Sequence, residues 1–374
     1  MATERACLVI ADISGYTRYL AGVELDHAQD VLADLITTVV KSLRPRFRLA
    51  KLEGDGAFVY APVGSIDGSI LMDKIEGCYF DFRQRLLSIR QASVCECQAC
   101  LLIPTLNLKM VAHHGAVAIQ SMAGSTELVG ADVVVAHRLL KNSIEDSAYA
   151  LLTDTCIEAT GLDPEALGMA RHREEYDHLG EVGGWIHDLE RAWRAMRERR
   201  RVYVSDSEAT LTYSEFYAAP PELVWEHVSV PTLRAKWGAG LDRVEQLDPG
   251  GRRRAGTVNH CMHGEDVLIQ EYVDWRPPKY HTSRVTSPDD KTVTVTTEVE
   301  PVEGGSTLHE RFQVAAGERS AFVEQMRPML DQAHEYERVR LAEMLEETLR
   351  SQEVPPEPEL PTSDEGQRLE TSVG

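Results

Sequence analysis

Positive charge is scarce in this chain, long apolar runs are missing, and its cysteines follow no regular pattern. There are 39 Lys and Arg against 60 Asp and Glu in 374 residues, a formal net charge of −21. Such a surface repels phosphate backbones and anionic lipid, so neither nucleic acid nor membrane is an expected partner. No uninterrupted apolar stretch approaches the ~20 residues of a membrane helix. The opening residues do not read as a signal peptide, because Glu4 and Asp12 bracket too short an apolar run. Seven cysteines, an odd number at irregular spacing, do not suggest a secreted disulfide scaffold. The expected location is cytoplasmic.

What is present begins with an apolar stretch, Cys7 to Ala11, that reads as a buried strand ending at Asp12. Gly15 and a helix follow. A second acidic turn, Lys51-Leu52-Glu53-Gly54-Asp55, precedes the extended run Ala57-Phe58-Val59-Tyr60 and has the look of a hairpin tip. Two such carboxylates meeting in space form a hard-oxygen site suited to a divalent cation and phosphate. Either alone is an ordinary turn residue.

Four segments in order resemble the class III nucleotidyl cyclases. They are Asp12 to Thr17, Lys51 to Asp55, Lys109-Met110-Val111-Ala112-His113-His114-Gly115, and Gly130-Ala131-Asp132-Val133-Val134-Val135-Ala136-His137-Arg138-Leu139. The resemblance covers roughly residues 6 to 190. It implies that Asp12 and Asp55 hold Mg²⁺ or Mn²⁺, and that Ile13, Ser14, Gly15, Tyr16 and Thr17 cradle phosphate. It also implies that Lys51 and Glu127 contact a purine nucleotide, that Arg138 is the retained catalytic residue, and that two copies pair as a homodimer. Two departures stand out. Val134 falls where the family has a transition-state asparagine, and no lysine matches in Leu179-Gly180-Glu181-Val182-Gly183-Gly184. Removing one preorganised donor costs ~10²–10³ in rate, so a degenerate domain that binds better than it turns over is expected.

Apolar residues from Ala28 to Leu43 repeat at helical spacing, and Leu106 to Ala118 alternates as a strand. The first part reads as β-α-β-β-α-β-α-β, with helices on one face of the sheet. A charged stretch follows, including the basic run Arg191 to Arg201. Then come a strand at Leu211–Tyr217, a proline-led helix, six strand candidates between Arg243 and Val314 divided by Gly and Pro turns, and a long helix, Arg319 to Leu349. This segment resembles the START-like superfamily, which includes the pollen-allergen-like proteins and the Hsp90-activator homologues. The cues are Ala218-Ala219-Pro220-Pro221-Glu222-Leu223-Val224-Trp225 and Trp237. The expected fold class is α+β: a ferredoxin-like cyclase-homology domain (1–190), a charged linker (191–207), a helix-grip START-like (SRPBCC) domain (208–350) and a disordered tail (351–374). A small apolar ligand is expected beneath the long helix, whose Phe322, Val323, Met326, Met329 and Leu330 should face inward.

Cys95, Cys97 and Cys100 lie within six residues and can supply three zinc ligands, with His113 or His114 as a fourth. Two other functional readings stay open: an active cyclase with rearranged residues, and a non-catalytic dimerisation module beside a START-like ligand cavity.

Overall fold

The computed structural model describes residues 3–352, apart from residues 22, 24, 45, 63, 93–97, 123–124 and 249. The Cys95 and Cys97 positions and nearly all of the acidic tail therefore lie outside the described residues.

The first sheet is built from β1 (Thr3–Ser14), β2 (Arg48–Glu53), β3 (Gly56–Pro62), β4 (Asn107–Met122), β5 (Ser125–Val129), β6 (Tyr149–Thr153), β7 (Ala170–Tyr176) and β8 (Gly180–Asp188). The strand order is β2-β3-β1-β4-β6-β8-β7, with β5 paired to β4. Only β4 and β6 run parallel among these pairs. The accompanying helices are α1 (Tyr16–Ala21), α2 (Leu25–Leu43), α3 (Gly68–Ala92), α4 (Gln98–Leu102), α5 (Ala131–Leu139), α6 (Asp154–Thr160) and α7 (Leu189–Glu198).

Helices cover both faces of this sheet, not one. Cys7, Val9, Ala11 and Ile13 of β1 pack with Leu35 and Val39 of α2 and Leu71 and Ile75 of α3. Ala6, Leu8 and Ile10, the alternate residues, pack with Ala136 of α5. A strand that is apolar at every position requires cover on each side, which the unbroken run in β1 already implied.

The second sheet contains β9 (Leu211–Tyr217), β10 (Arg243–Leu247), β11 (Val258–His263), β12 (Asp266–Arg276), β13 (Tyr280–Thr286), β14 (Thr292–Val302) and β15 (Gly305–Gln313). Its order is β10-β11-β12-β13-β14-β15-β9, antiparallel throughout. Two short helices, α8 (Pro221–Ser229) and α9 (Pro231–Trp237), each begin on proline, whose missing N–H costs nothing there. A long helix, α10 (Arg319–Gln352), closes the fold and continues through Pro328. The whole is a mixed α+β architecture with a helix-grip arrangement in its second half.

The charged stretch after β8 is tied to both sheets. Trp193 of α7 is buried in the first core. Beyond it, the Val202 and Val204 amides donate to Asp274 Oδ2 (3.0 Å) and Thr296 Oγ1 (2.9 Å) of the second sheet.

The packing of α10 differs from the sequence expectation. Leu341 and Leu345, near its end, are the residues buried with Trp225, Trp237, Tyr272 and Trp275. Met329 is 55% exposed. The earlier turns meet β9 through polar contacts, Tyr213 Oη to Asp331 Oδ1 (2.7 Å) and His334 to Glu215 (3.8 Å). Between them, the space beside Tyr217, Leu308 and Glu310 is about 10 Å³, room for about one water. Side chains fill this place beneath the helix, where the sequence leads one to expect a small apolar ligand.

Candidate functional site

Backbone pairing brings the two acidic turns together. Asp12 lies opposite Gly56 in the β1–β3 register, and the Ile13 amide donates to the Asp55 carbonyl at 3.0 Å. Gly56 makes this crossing close, since a Cβ there would sit 3.2 Å from the Ala11 carbonyl oxygen and 3.4 Å from Asp12 Oδ1. Burial, and after it the charge of Asp12, raise the Asp55 carboxyl above its ordinary range. Lys109 opposes that rise. Its ammonium stands 3.2 Å from Asp12 Oδ2 and donates to the Leu140 carbonyl at 3.3 Å. Glu53, in the same hairpin, is held by His137 of α5 (3.0 Å), whose ring meets Phe58 edge-on.

The remaining candidates are spread around this pair. The Ile13 amide is already spent on Asp55, and Ser14 is paired in the ladder opposite Asn107. Gly15 adopts φ +87°, and a Cβ there would approach the Thr105 carbonyl oxygen to 3.0 Å. Tyr16 packs against the first core, while Thr17 is exposed. Lys51 is exposed on β2 and Glu127 half-buried on β5. Val134 is 50% exposed on α5, and Arg138 follows one turn later on the same exposed face. Among the described residues, no hydrogen bond or ion pair joins Lys51, Glu127 or Arg138 to either aspartate. One chain thus assembles the two carboxylates and leaves the base-reading and catalytic candidates apart from them.

The metal expectations require correction. Among the described residues, no group of three or more His, Cys, Asp and Glu is placed to hold a metal ion. Neither the zinc site nor a self-sufficient Mg²⁺ or Mn²⁺ centre is present there. His113, offered as a fourth zinc ligand, bonds Thr153 Oγ1 (3.0 Å) and Asp132 Oδ1 (3.1 Å). Its imidazole is buried and its pKa lowered, chiefly by that burial. Asp132 also accepts from the Ala116 amide at 2.6 Å. His114 faces Arg5 at 3.2 Å. Cys95 and Cys97 lie outside the described residues, and Cys100 falls in α4.

The second half contains a polar interior that the sequence did not disclose. Arg234 donates to Gln270 Oε1 at 2.7 Å, and Gln270 in turn meets Asn259 and Ser283. Glu310 and Glu337 face one another near it. Burial first, and their mutual repulsion second, push Glu310 up to about 7. His281 is buried and stacked on Trp275 (5.7 Å). Its pKa falls to about 3, mainly through burial. Glu265 and Asp266 are exposed. Strand register decides which polar residues turn inward, and Glu310 shares parity with the buried Ser306 and Leu308.

With the fold and these sites in view, comparison with known proteins sets the class. Residues 208–346 match the family model described as "Polyketide cyclase / dehydrase and lipid transport". Residues 32–149 match one described as "Protein of unknown function (DUF2652)". The chain belongs to the family of "Uncharacterized protein Rv2561/Rv2562" of Mycobacterium tuberculosis (strain ATCC 25618 / H37Rv). The two are 34% identical over 159 residues, 42% of this chain and 73% of that protein. Among solved structures, the guanylyl cyclase Cya2 is 16% identical, covering 50% of this chain and 92% of its own, with a TM-score of 0.38. A bacterial light-regulated adenylyl cyclase is 11% identical over 50% of this chain and 90% of its own, with a TM-score of 0.37. A Rhodobacter sphaeroides protein is 22% identical over 37% of this chain and 92% of its own, with a TM-score of 0.30. Among the described residues, no helix is long and apolar enough to cross a membrane.

Proposed function

We propose that the first half binds a purine nucleoside triphosphate, as its complex with a divalent ion, at Asp12 and Asp55 between two copies of the chain, with little or no turnover. The observation that carries this reading is the pairing of the two carboxylates at one strand end by the β1–β3 register. Two carboxylates repel a bare triphosphate, so the cation has to arrive with the nucleotide. Lys51, Glu127 and Arg138 stand apart from the aspartates within one chain, and a second copy would supply them. Exposed Val134 can neither donate nor accept a hydrogen bond. The loss therefore falls on the transition state more than on ground-state binding. For the second half we propose binding of a small, partly apolar ligand. Entry would require the earlier turns of α10, held by polar contacts, to lift from β9.

Calorimetry with ATP and GTP, each with and without Mg²⁺, tests the nucleotide reading. Metal-dependent binding that Asp12→Ala abolishes is expected, with cyclic product formed far below ~1 s⁻¹. A second reading, a dimerisation module without nucleotide, is favoured by the Lys109 ammonium that already neutralises Asp12 at 3.2 Å. It prevails if neither nucleotide binds with the ion present.

A further inference from the structure

The two sheets meet along a seam on the α3 side of the first sheet, opposite the face that carries α5. The seam leaves a cleft of about 1040 Å³ between α3, α7, α8, the loop before β11 and the β12–β13 turn. Its wall carries more Lys and Arg than Asp and Glu, inside a chain whose net charge is −21.

Most of the acids there are already engaged. Both oxygens of Glu76 accept from Arg252 at 2.7 Å, and Asp73 Oδ1 accepts from the same guanidinium at 3.2 Å. Glu226 pairs with Arg46, and Glu298 with Arg311. Arg254 is different. Its amide is bonded to Thr257 Oγ1 at 3.0 Å, but among the described residues no carboxylate lies within ion-pair distance of its guanidinium. Its strongest charged neighbours are Arg252 and Arg199, and with burial they lower its pKa. Arg199 likewise has no acidic partner among the described residues. Its carbonyl, rather than its guanidinium, is what meets Arg276.

Half-buried Arg254 and exposed Arg199 therefore line the cleft with no carboxylate at ion-pair distance among the described residues, which leaves both guanidinium groups free to take an anion. Three buried polar atoms of cleft-lining residues, Arg252 Nε, Arg253 Nε and His187 Nδ1, have no hydrogen-bond partner among the described residues. The wall also carries four aromatic rings among aliphatic and proline residues. Phe80 and Trp193 lie 5.5 Å apart, and Trp225 meets Trp275 edge-on at 5.1 Å.

We propose that this cleft binds an amphiphilic organic acid, its anionic head held by Arg254 and Arg199 and its flat apolar body laid against the aromatic rings. Such a ligand touches α3 and α7 from one half and the loops of the second sheet from the other, so its binding clamps the two halves together. The site is separate from Asp12 and Asp55, and from the interior beneath α10. It does not depend on the nucleotide reading.

The test uses the full chain and the fluorescent sulfonate 8-anilinonaphthalene-1-sulfonate, displaced by 2-naphthoate. Arg254→Gln should weaken sulfonate binding about tenfold or more, the loss expected for one charge-assisted hydrogen bond. Arg254→Lys should retain most of it, and Arg284→Gln, an exposed position on β13 away from the cleft, should have no effect. The neutral 2-naphthamide should fail to compete. Unchanged affinity in Arg254→Gln overturns the proposal, since a ligand beneath α10 would not notice that change. Equal competition by the amide, or by inorganic phosphate alone, also overturns it. If Arg254→Gln melts early, Arg199→Gln reads the same head-group contact from α7's side of the cleft.

Discussion

Asp73 and Glu76 sit one turn apart on α3, share one arginine and are driven in opposite directions. Arg252 gives Glu76 two parallel bonds of 2.7 Å and holds its carboxyl far below the ordinary range, overriding its burial. Asp73 receives one longer contact, so burial prevails and its pKa rises from 3.8 to about 6. Between those two values the folded chain binds a proton that the unfolded chain has released. Asp73 therefore makes stability fall as pH rises from about 4 to about 6, and the cost is fully present above that window. Glu76 is ionised in both states above its unfolded value and adds no opposing slope in most of that range. Urea unfolding from pH 4.5 to 7 should show this decline in the wild type and a flatter profile in Asp73→Asn. An identical slope in both proteins would refute the assignment. Gly115 offers a second test. A Cβ there would lie 2.2 Å from Asp132 Cγ, within the carboxylate that ties α5 to β4. Gly115→Ala should cost ~1–3 kcal/mol by overpacking, read as a lowered melting temperature.

Among the elements, α10 separates length from anchorage. Leu345 is 2% exposed, whereas Met329 is 55% exposed. Leu345→Ala should cost ~2–5 kcal/mol, while Met329→Ala should stay within about 0.5 kcal/mol. Chemical denaturation of both variants checks the contrast, and equal effects would contradict the packing described. The helix's existence was legible in the sequence, but its buried face was not, because apolar residues occur along its whole length while the sheet meets only part of it. The strands β10 to β15 were legible through alternation and Gly or Pro turns. β7, Ala170–Tyr176, was missed because Ala-Arg-His-Arg-Glu-Glu-Tyr has no apolar face. It is an edge strand with charge on both sides. For the candidate site, the aspartates could be found because turn residues mark strand ends. Arg252 and Glu76 could not, since they meet across 176 positions with no local pattern to announce them.

At the scale of the whole molecule, the two halves are joined by ions more than by a shared apolar core. Arg253 reaches Asp67 at 3.1 Å and its amide takes Ser69 Oγ at 2.7 Å. Arg252 bridges Asp73 and Glu76, and Trp275 Nε1 donates to Asp73 at 3.3 Å. Arg252→Ala strands two carboxylates in the seam, which should cost ~3–5 kcal/mol at neutral pH. Because the loss falls on the junction and not on either core, calorimetry of this variant should resolve two unfolding transitions. A single transition shifted as a block would mean that the halves unfold together for another reason.

The pairing of β9 with β15 has a consequence in time. Among the described residues β9 pairs only with β15 in its sheet, joining Leu211–Phe312 to Tyr217–Ser306 across most of the second half. During synthesis the first strand of this sheet has to wait, its edge unpaired, until the last strand leaves the ribosome. The first sheet has all its strands some twenty residues before β9 begins. The nascent chain thus carries one completed body and one open edge for about a hundred residues of elongation. That interval is when chaperone capture and mispairing compete with folding.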